Sequence, residues 1–183
     1  NGNGDTVTVN SDGTFDYTPG DTRFDVLDAG ETSDDAGLTN PTFTYTNLEG
    51  FEATVTLLIT GINDAPTVDN SGDPTLTTID EDATSNMGNT VQEILTGVAD
   101  DVDGDEDVTT LGLALTGTTE SAGTGKWQFS TDGGTNWTDV GAISDVTALL
   151  LENADRLRFL PDTLVGGAGT ITYRAGDGTD GST

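Results

Sequence analysis

Apolar and polar residues alternate along this chain in short runs, a period of two that predicts strands half-buried on one face. The clearest runs are Thr6 to Val9, Thr14 to Tyr17, Thr42 to Thr46, Ala53 to Thr60, Leu111 to Leu115, Trp127 to Ser130, Leu157 to Leu160 and Thr170 to Tyr173. Turn formers separate them, among them Ser11-Asp12-Gly13, Glu49-Gly50 and Asp132-Gly133-Gly134, where Gly and Asp meet the backbone demands of tight turns. Helical periodicity is nearly absent, and Asp145 to Asn153 is the one stretch expected to form a turn or so of helix, leading into a strand. Strands of this length and spacing predict an all-β chain of antiparallel sandwiches.

The run Ala53 to Thr60 reads as a last, well-buried strand, and GINDAPTV (61–68) follows it directly. Pro66 fixes its own φ and donates no hydrogen bond, so the chain leaves the strand extended and stiff. This predicts a joint at Asn63 to Pro66, with one domain over residues 1–66 and a second over 67–183. Leu76 to Ile79 is expected to be the first strand of the second domain. The first is short for a sandwich, and the opening NGNGD reads as a cut made inside a longer protein.

Charge changes this picture. The 183 residues carry 33 Asp and Glu against 5 Lys and Arg, a formal net charge of −28, and the acids are spread along the whole chain. No cluster of basic residues exists to neutralise phosphates, which excludes nucleic acid as a partner and argues against anionic membrane surfaces. No apolar run approaches the ~20 residues of a membrane helix, and no basic-then-apolar leader opens the sequence. With no cysteine and no histidine, disulfides, thiolate sites, Cys nucleophiles and the commonest general base are all excluded. An oxygen-only donor set suits a hard cation, Ca²⁺ before Zn²⁺ or Cu²⁺.

Two acidic clusters follow the joint: Asp80-Glu81-Asp82, and residues 100–107, DDVDGDED. In the second, Asp101, Asp103 and Asp105 alternate, and Gly104 lets the backbone bend round an ion. It is not an EF-hand loop, because Gly104 comes too early and Gly112 stands where a bidentate Glu is required. A solvated acidic loop is the plain alternative. Carboxylates packed this closely repel one another beyond what any turn requires, and the six to eight oxygens that Ca²⁺ takes would relieve that repulsion.

DGTFDYTP (12–19) and FTYTNLEGFEATVTLLITGINDAPTV (43–68) resemble a bacterial cadherin-like repeat of the VCBS type, strung in tandem through giant secreted adhesins of the RTX class. IDEDA (79–83), the acidic loop, GKWQFSTDGGTNW (125–137) and LRFLPD (157–162) resemble a related cadherin-like domain of the same adhesins. The resemblance implies two tandem Ig-like or cadherin-like sandwiches, secreted to the bacterial surface, whose partners are neighbouring domains of the same chain. It also implies calcium at the joints, making the array rod-like. On that basis Asn63 and Asp64 match the linker ligands, Glu81 and Asp82 the acidic pair of the following domain, and Asp101, Asp103 and Asp105 its Asp-x-Asp loop. Gly61 and Ala65 depart from the animal cadherins, which place further oxygen ligands there, so fewer ions are expected.

Other motifs carry less. Ser130-Thr-Asp132-Gly-Gly134-Thr-Asn-Trp137 fits the Asp-box pattern of sialidase propeller blades, a hairpin device in which the Asp caps the turn and the Trp packs beneath it. One copy makes no propeller, so Trp127 and Trp137 are expected as core or hairpin anchors. Gly166-Gly-Ala-Gly169 has Ile171 where the RTX nonapeptide needs Asp. Arg156, Arg158 and Arg174 are expected to pair with nearby acids, the first two from one strand face. Without His or Cys no ordinary nucleophile and base can be assembled, and an enzyme is not expected. The expected role is a calcium-stiffened spacer supporting adhesion; the alternatives are a calcium-dependent module binding a glycan or a protein, and intrinsic disorder, against which the alternating strands argue.

Overall fold

In the computed structural model, residues 4–72, 75–103, 108–120, 124–162 and 168–177 are described. They are nearly all β, with several small antiparallel sheets and one short α-helix. They divide into two compact units, residues 4–64 with Val102 and Asp103, and residues 65–101 with those from 108 onward.

The first unit is built from two hairpins. Strands β1 (Thr6–Val9) and β2 (Phe15–Thr18) pair with Thr6 opposite Thr18. Their turn closes through Asp12, whose carboxylate accepts from the Thr14 backbone N–H at 3.0 Å, and Gly13 supplies a φ of 89°. Strands β3 (Thr42–Thr46) and β4 (Glu52–Thr56) pair with Thr42 opposite Thr56. The Asn47 side chain holds the turn between them, accepting from the Glu49 and Phe51 N–H groups at 3.0 and 2.9 Å. Phe15 meets Phe43 with ring centroids 5.0 Å apart. Phe24 and Leu27 are buried, and the Arg23 guanidinium forks onto Asp5 at 3.0 and 2.6 Å.

The strand expected over Ala53 to Thr60 is shorter and less buried than the sequence implies. It ends at Thr56, and of its residues only Val55 is half-buried. The ladder runs out because its partner begins just after Pro41, which has no N–H to donate. Beyond it, Leu57 N–H still bonds the Pro41 carbonyl at 2.9 Å, and Ile59 N–H bonds the buried Ser33 Oγ at 3.1 Å.

In the second unit, β5 (Thr67–Val68) pairs with β7 (Ala99–Asp100). Between them lie β6 (Asn89–Thr90) and α1 (Val91–Leu95). The helix is only five residues long, yet it carries a complete capping box: Thr90 accepts from Glu93 N–H, and the Glu93 carboxylate accepts from Thr90 N–H. Val91, Ile94 and Leu95 fix it to the core. The later strands are β8 (Gly112–Glu120), β9 (Gly125–Ser130), β10 (Thr138–Asp139), β11 (Leu149–Leu151), β12 (Arg156–Pro161) and β13 (Gly169–Gly176). They form a sheet in the order β10-β9-β12-β6 and another in the order β11-β8-β13. Leu113 and Leu115 from one sheet, and Trp127, Leu157 and Phe159 from the other, belong to one buried cluster.

Two expectations fail here. The segment 145–153 forms no helix; its three leucines become β11, paired with β8, since a short apolar run has no periodicity to separate the two states. Leu76 to Ile79 is not a strand, and the first strand of this unit is β5. Of the Gly166-Gly-Ala-Gly169 turn, residues 166 and 167 lie outside the described residues.

Candidate functional site

The residues expected to hold calcium occupy different settings. Asn63 is half-buried and donates from Nδ2 to the Asp64 carbonyl at 2.9 Å. Asp64 is exposed, and its backbone N–H donates to Asp103 Oδ2 at 3.0 Å. This bond lies within the first unit and spans 39 positions of sequence. Asp103 is only 4% exposed, and Asp101, in the second unit, only 9%. Glu81 and Asp82 are exposed beside a turn closed by the Ala83 N–H bond to the Asp80 carbonyl at 3.0 Å. Asp105 lies outside the described residues. Among the described residues no three acidic side chains gather as a cation cage.

Burying carboxylates is costly unless positive charge or hydrogen-bond donors come with them. Each of the five cationic side chains has a partner among the described residues. Arg23 serves Asp5 and Asp21, Lys126 binds Asp139 at 2.8 Å, and Arg174 reaches Asp145 at 3.8 Å. Arg156 donates to the Met87 carbonyl at 3.1 Å. Arg158 donates to Gln128 Oε1 at 3.0 and 2.7 Å and to the Asn86 carbonyl at 2.8 Å. Arg156 and Arg158 therefore use neutral oxygens rather than the acids the sequence led us to expect. Both lie on the face of β12 opposite the core, and Trp137 covers Arg158 at 3.9 Å from ring centroid to guanidinium carbon. Burial pushes the Arg158 pKa down.

The Asp-box segment is a saturated turn. Asp132 Oδ1 accepts from the Asn136 and Thr135 N–H groups at 2.8 and 3.1 Å and from Ser130 Oγ at 2.8 Å. Those bonds, the Asn136 backbone first, pull its pKa down to about 2. Trp137 Nε1 donates to the Gly134 carbonyl at 3.0 Å. Trp127 is only 5% exposed and meets Phe159 edge-on at 5.3 Å. With Trp127 in the core and Trp137 under Arg158, neither ring is offered as an open stacking platform.

One feature had no sequence signal beyond scattered apolar residues. A cleft of about 640 Å³ runs through the second unit, lined in part by Leu76, Ile79, Trp127, Phe159, Ile171 and Tyr173. Among the described residues, the buried Trp127 Nε1 and Tyr173 hydroxyl have no hydrogen-bond partner, and desolvation pushes the Tyr173 pKa up.

No family model, no curated protein and no solved structure matches this chain.

Proposed function

We propose that this chain is a calcium-stiffened spacer within a large secreted bacterial adhesin, made of two cadherin-like sandwiches and extending the adhesin from the cell surface. The observation that carries this reading is the Asp103 carboxylate, buried and drawn onto the backbone N–H of Asp64 in the Asn-Asp-Ala-Pro segment. An acidic loop and a linker segment far apart in sequence are thereby brought together, and both carry oxygen donors of the kind a hard cation takes. The net charge of −28 already counts the five cationic side chains, so solution ions must balance it. In support of the sandwich, two antiparallel sheets of the second unit share one apolar core.

The set that would hold calcium is Asn63, Asp64, Glu81, Asp82, Asp101, Asp103 and Asp105. Bound Ca²⁺ would supply positive charge and hold these oxygens at fixed separations. Extracellular modules bind calcium at about 10⁻⁴ to 10⁻³ M, so the ion would be taken up outside the cell. The partners are adjoining domains, and no catalysis is assigned.

Thermal unfolding in EDTA, in Mg²⁺ and in Ca²⁺ tests this. Calcium at a hundredfold excess over Kd should stabilise the folded state by about 2.7 kcal/mol, and Mg²⁺ should not. Identical melting in all three would remove the cation from the proposal, and with it the stiffening.

A further inference from the structure

The cleft of the second unit lies where the two sheets are incomplete. On one side, β6 covers only Arg156 and Leu157 of β12, leaving residues 158–161 without a strand neighbour on that edge among the described residues. Asn86 caps part of it, donating from Nδ2 to the Phe159 carbonyl at 2.9 Å. On the other side, β13 pairs with β8 and, among the described residues, is the last strand of its sheet. Its Ile171, Tyr173 and Ala175 pack against the core while Thr170, Thr172 and Arg174 point away.

The segment Thr75-Leu76-Thr77-Thr78-Ile79 lines this same cleft and carries no strand pairing. Its residues suit a strand: three β-branched threonines, an isoleucine, and a leucine already packed against the core. Asn89 tethers it, accepting from Thr77 N–H at 2.9 Å and donating to Thr77 Oγ1 at 3.0 Å. A β-type segment is thus tethered to β6 and shares a cleft with Thr170, Ile171 and Tyr173 of β13, over an apolar floor containing two buried polar groups.

We propose that residues 75–79 are a strap that closes this cleft by pairing with the free edge of β13. Pairing satisfies edge N–H and carbonyl groups that otherwise stay open. It holds Leu76 against the core, where that side chain already packs. Closure also fixes where the chain enters Asp80-Glu81-Asp82, so the position of that acidic turn is set by the strap. The inference depends neither on calcium nor on the first unit.

The chain has no cysteine of its own, so engineered pairs give a clean readout. Thr75→Cys and Thr77→Cys are each combined with Thr170→Cys or Thr172→Cys, in the full chain, under mild oxidation. Thr119→Cys with Thr170→Cys is the control, since those residues face each other across β8 and β13. Bridging requires Cα atoms within about 7 Å. The expected result is loss of both free thiols in at least one strap pair, in EDTA or in excess Ca²⁺, abolished by Leu76→Asp while the control still bridges. Full bridging of the control with none in any strap pair under either condition would overturn the proposal. Amide exchange on the unaltered chain reads the same event without substitution: because Thr77 N–H is already bonded to Asn89, protection of further amides in 75–79 supports closure, and exchange of all the others at unprotected rates rejects it.

Discussion

The backbone N–H of Asp64 donates to the buried carboxylate of Asp103 across 3.0 Å. Replacing Asp103 by alanine removes the acceptor and leaves that N–H to find another. The expected loss is ~1.5–3 kcal/mol, by the usual worth of a hydrogen bond to a charged group. Asp103→Asn keeps an acceptor oxygen but not the charge. It should melt close to the unaltered protein in EDTA, and lose most of the gain in Ca²⁺. Melting curves of the two variants with and without Ca²⁺ separate the bond from the ion.

Arg158 should tolerate no exchange for lysine. Its planar fork reaches Gln128 and Asn86 while lying on Trp137, and an ammonium cannot make that set of contacts. A cost of ~2 kcal/mol is expected from the lost bonds and the weakened ring contact. For a unit of about 100 residues this is a fall in Tm of roughly 8–16 °C. Near-UV circular dichroism at the tryptophan bands should change together with the melting point.

Gly88 has a φ of 57°, and a Cβ placed there would lie 2.2 Å from the Leu157 carbonyl oxygen. Gly88→Ala should therefore break the β6–β12 pairing, with a loss of at least ~1 kcal/mol from the left-handed backbone alone. Urea unfolding gives the number. Gly13→Ala, where φ is also positive but nothing lies within 4 Å, should cost only the conformational part.

Acid sensitivity follows from Asp132. Its folded pKa of about 2 lies below the ordinary 3.8, so the turn's contribution is fully present above pH 3.8 and is lost as the pH falls through about 2. Asp132→Asn should be less stable at neutral pH and show a flatter pH dependence between those limits. Urea midpoints measured across that window check the sign.

Much of the β content was legible because each strand is local: β1 with β2 and β3 with β4 join alternating runs through Asp, Asn and Gly turns. Position along the strand was harder. Nothing in Ala53 to Thr60 announces that Pro41 ends its partner. The helix over Val91–Leu95 is too short for periodicity to reveal, although Thr90 and Glu93 spell its capping box. Of the site, the acids could be named but not their neighbours, since the Asp64–Asp103 bond depends on a fold that brings residues 39 positions apart together. Gln128 as the partner of Arg158 had no signal either: an amide facing a guanidinium across two strands leaves no local pattern.

The Asp132 cap has an outcome in solution as well as in the turn. The chain's isoelectric point is about 4.1, well above the pH of about 2 at which that carboxylate is neutralised. On acidification, electrostatic repulsion between molecules vanishes while this hairpin is still closed. Chains should then come together with this hairpin intact and strand edges such as that of β11 available for pairing, and turbidity near the isoelectric point would precede any loss of this turn.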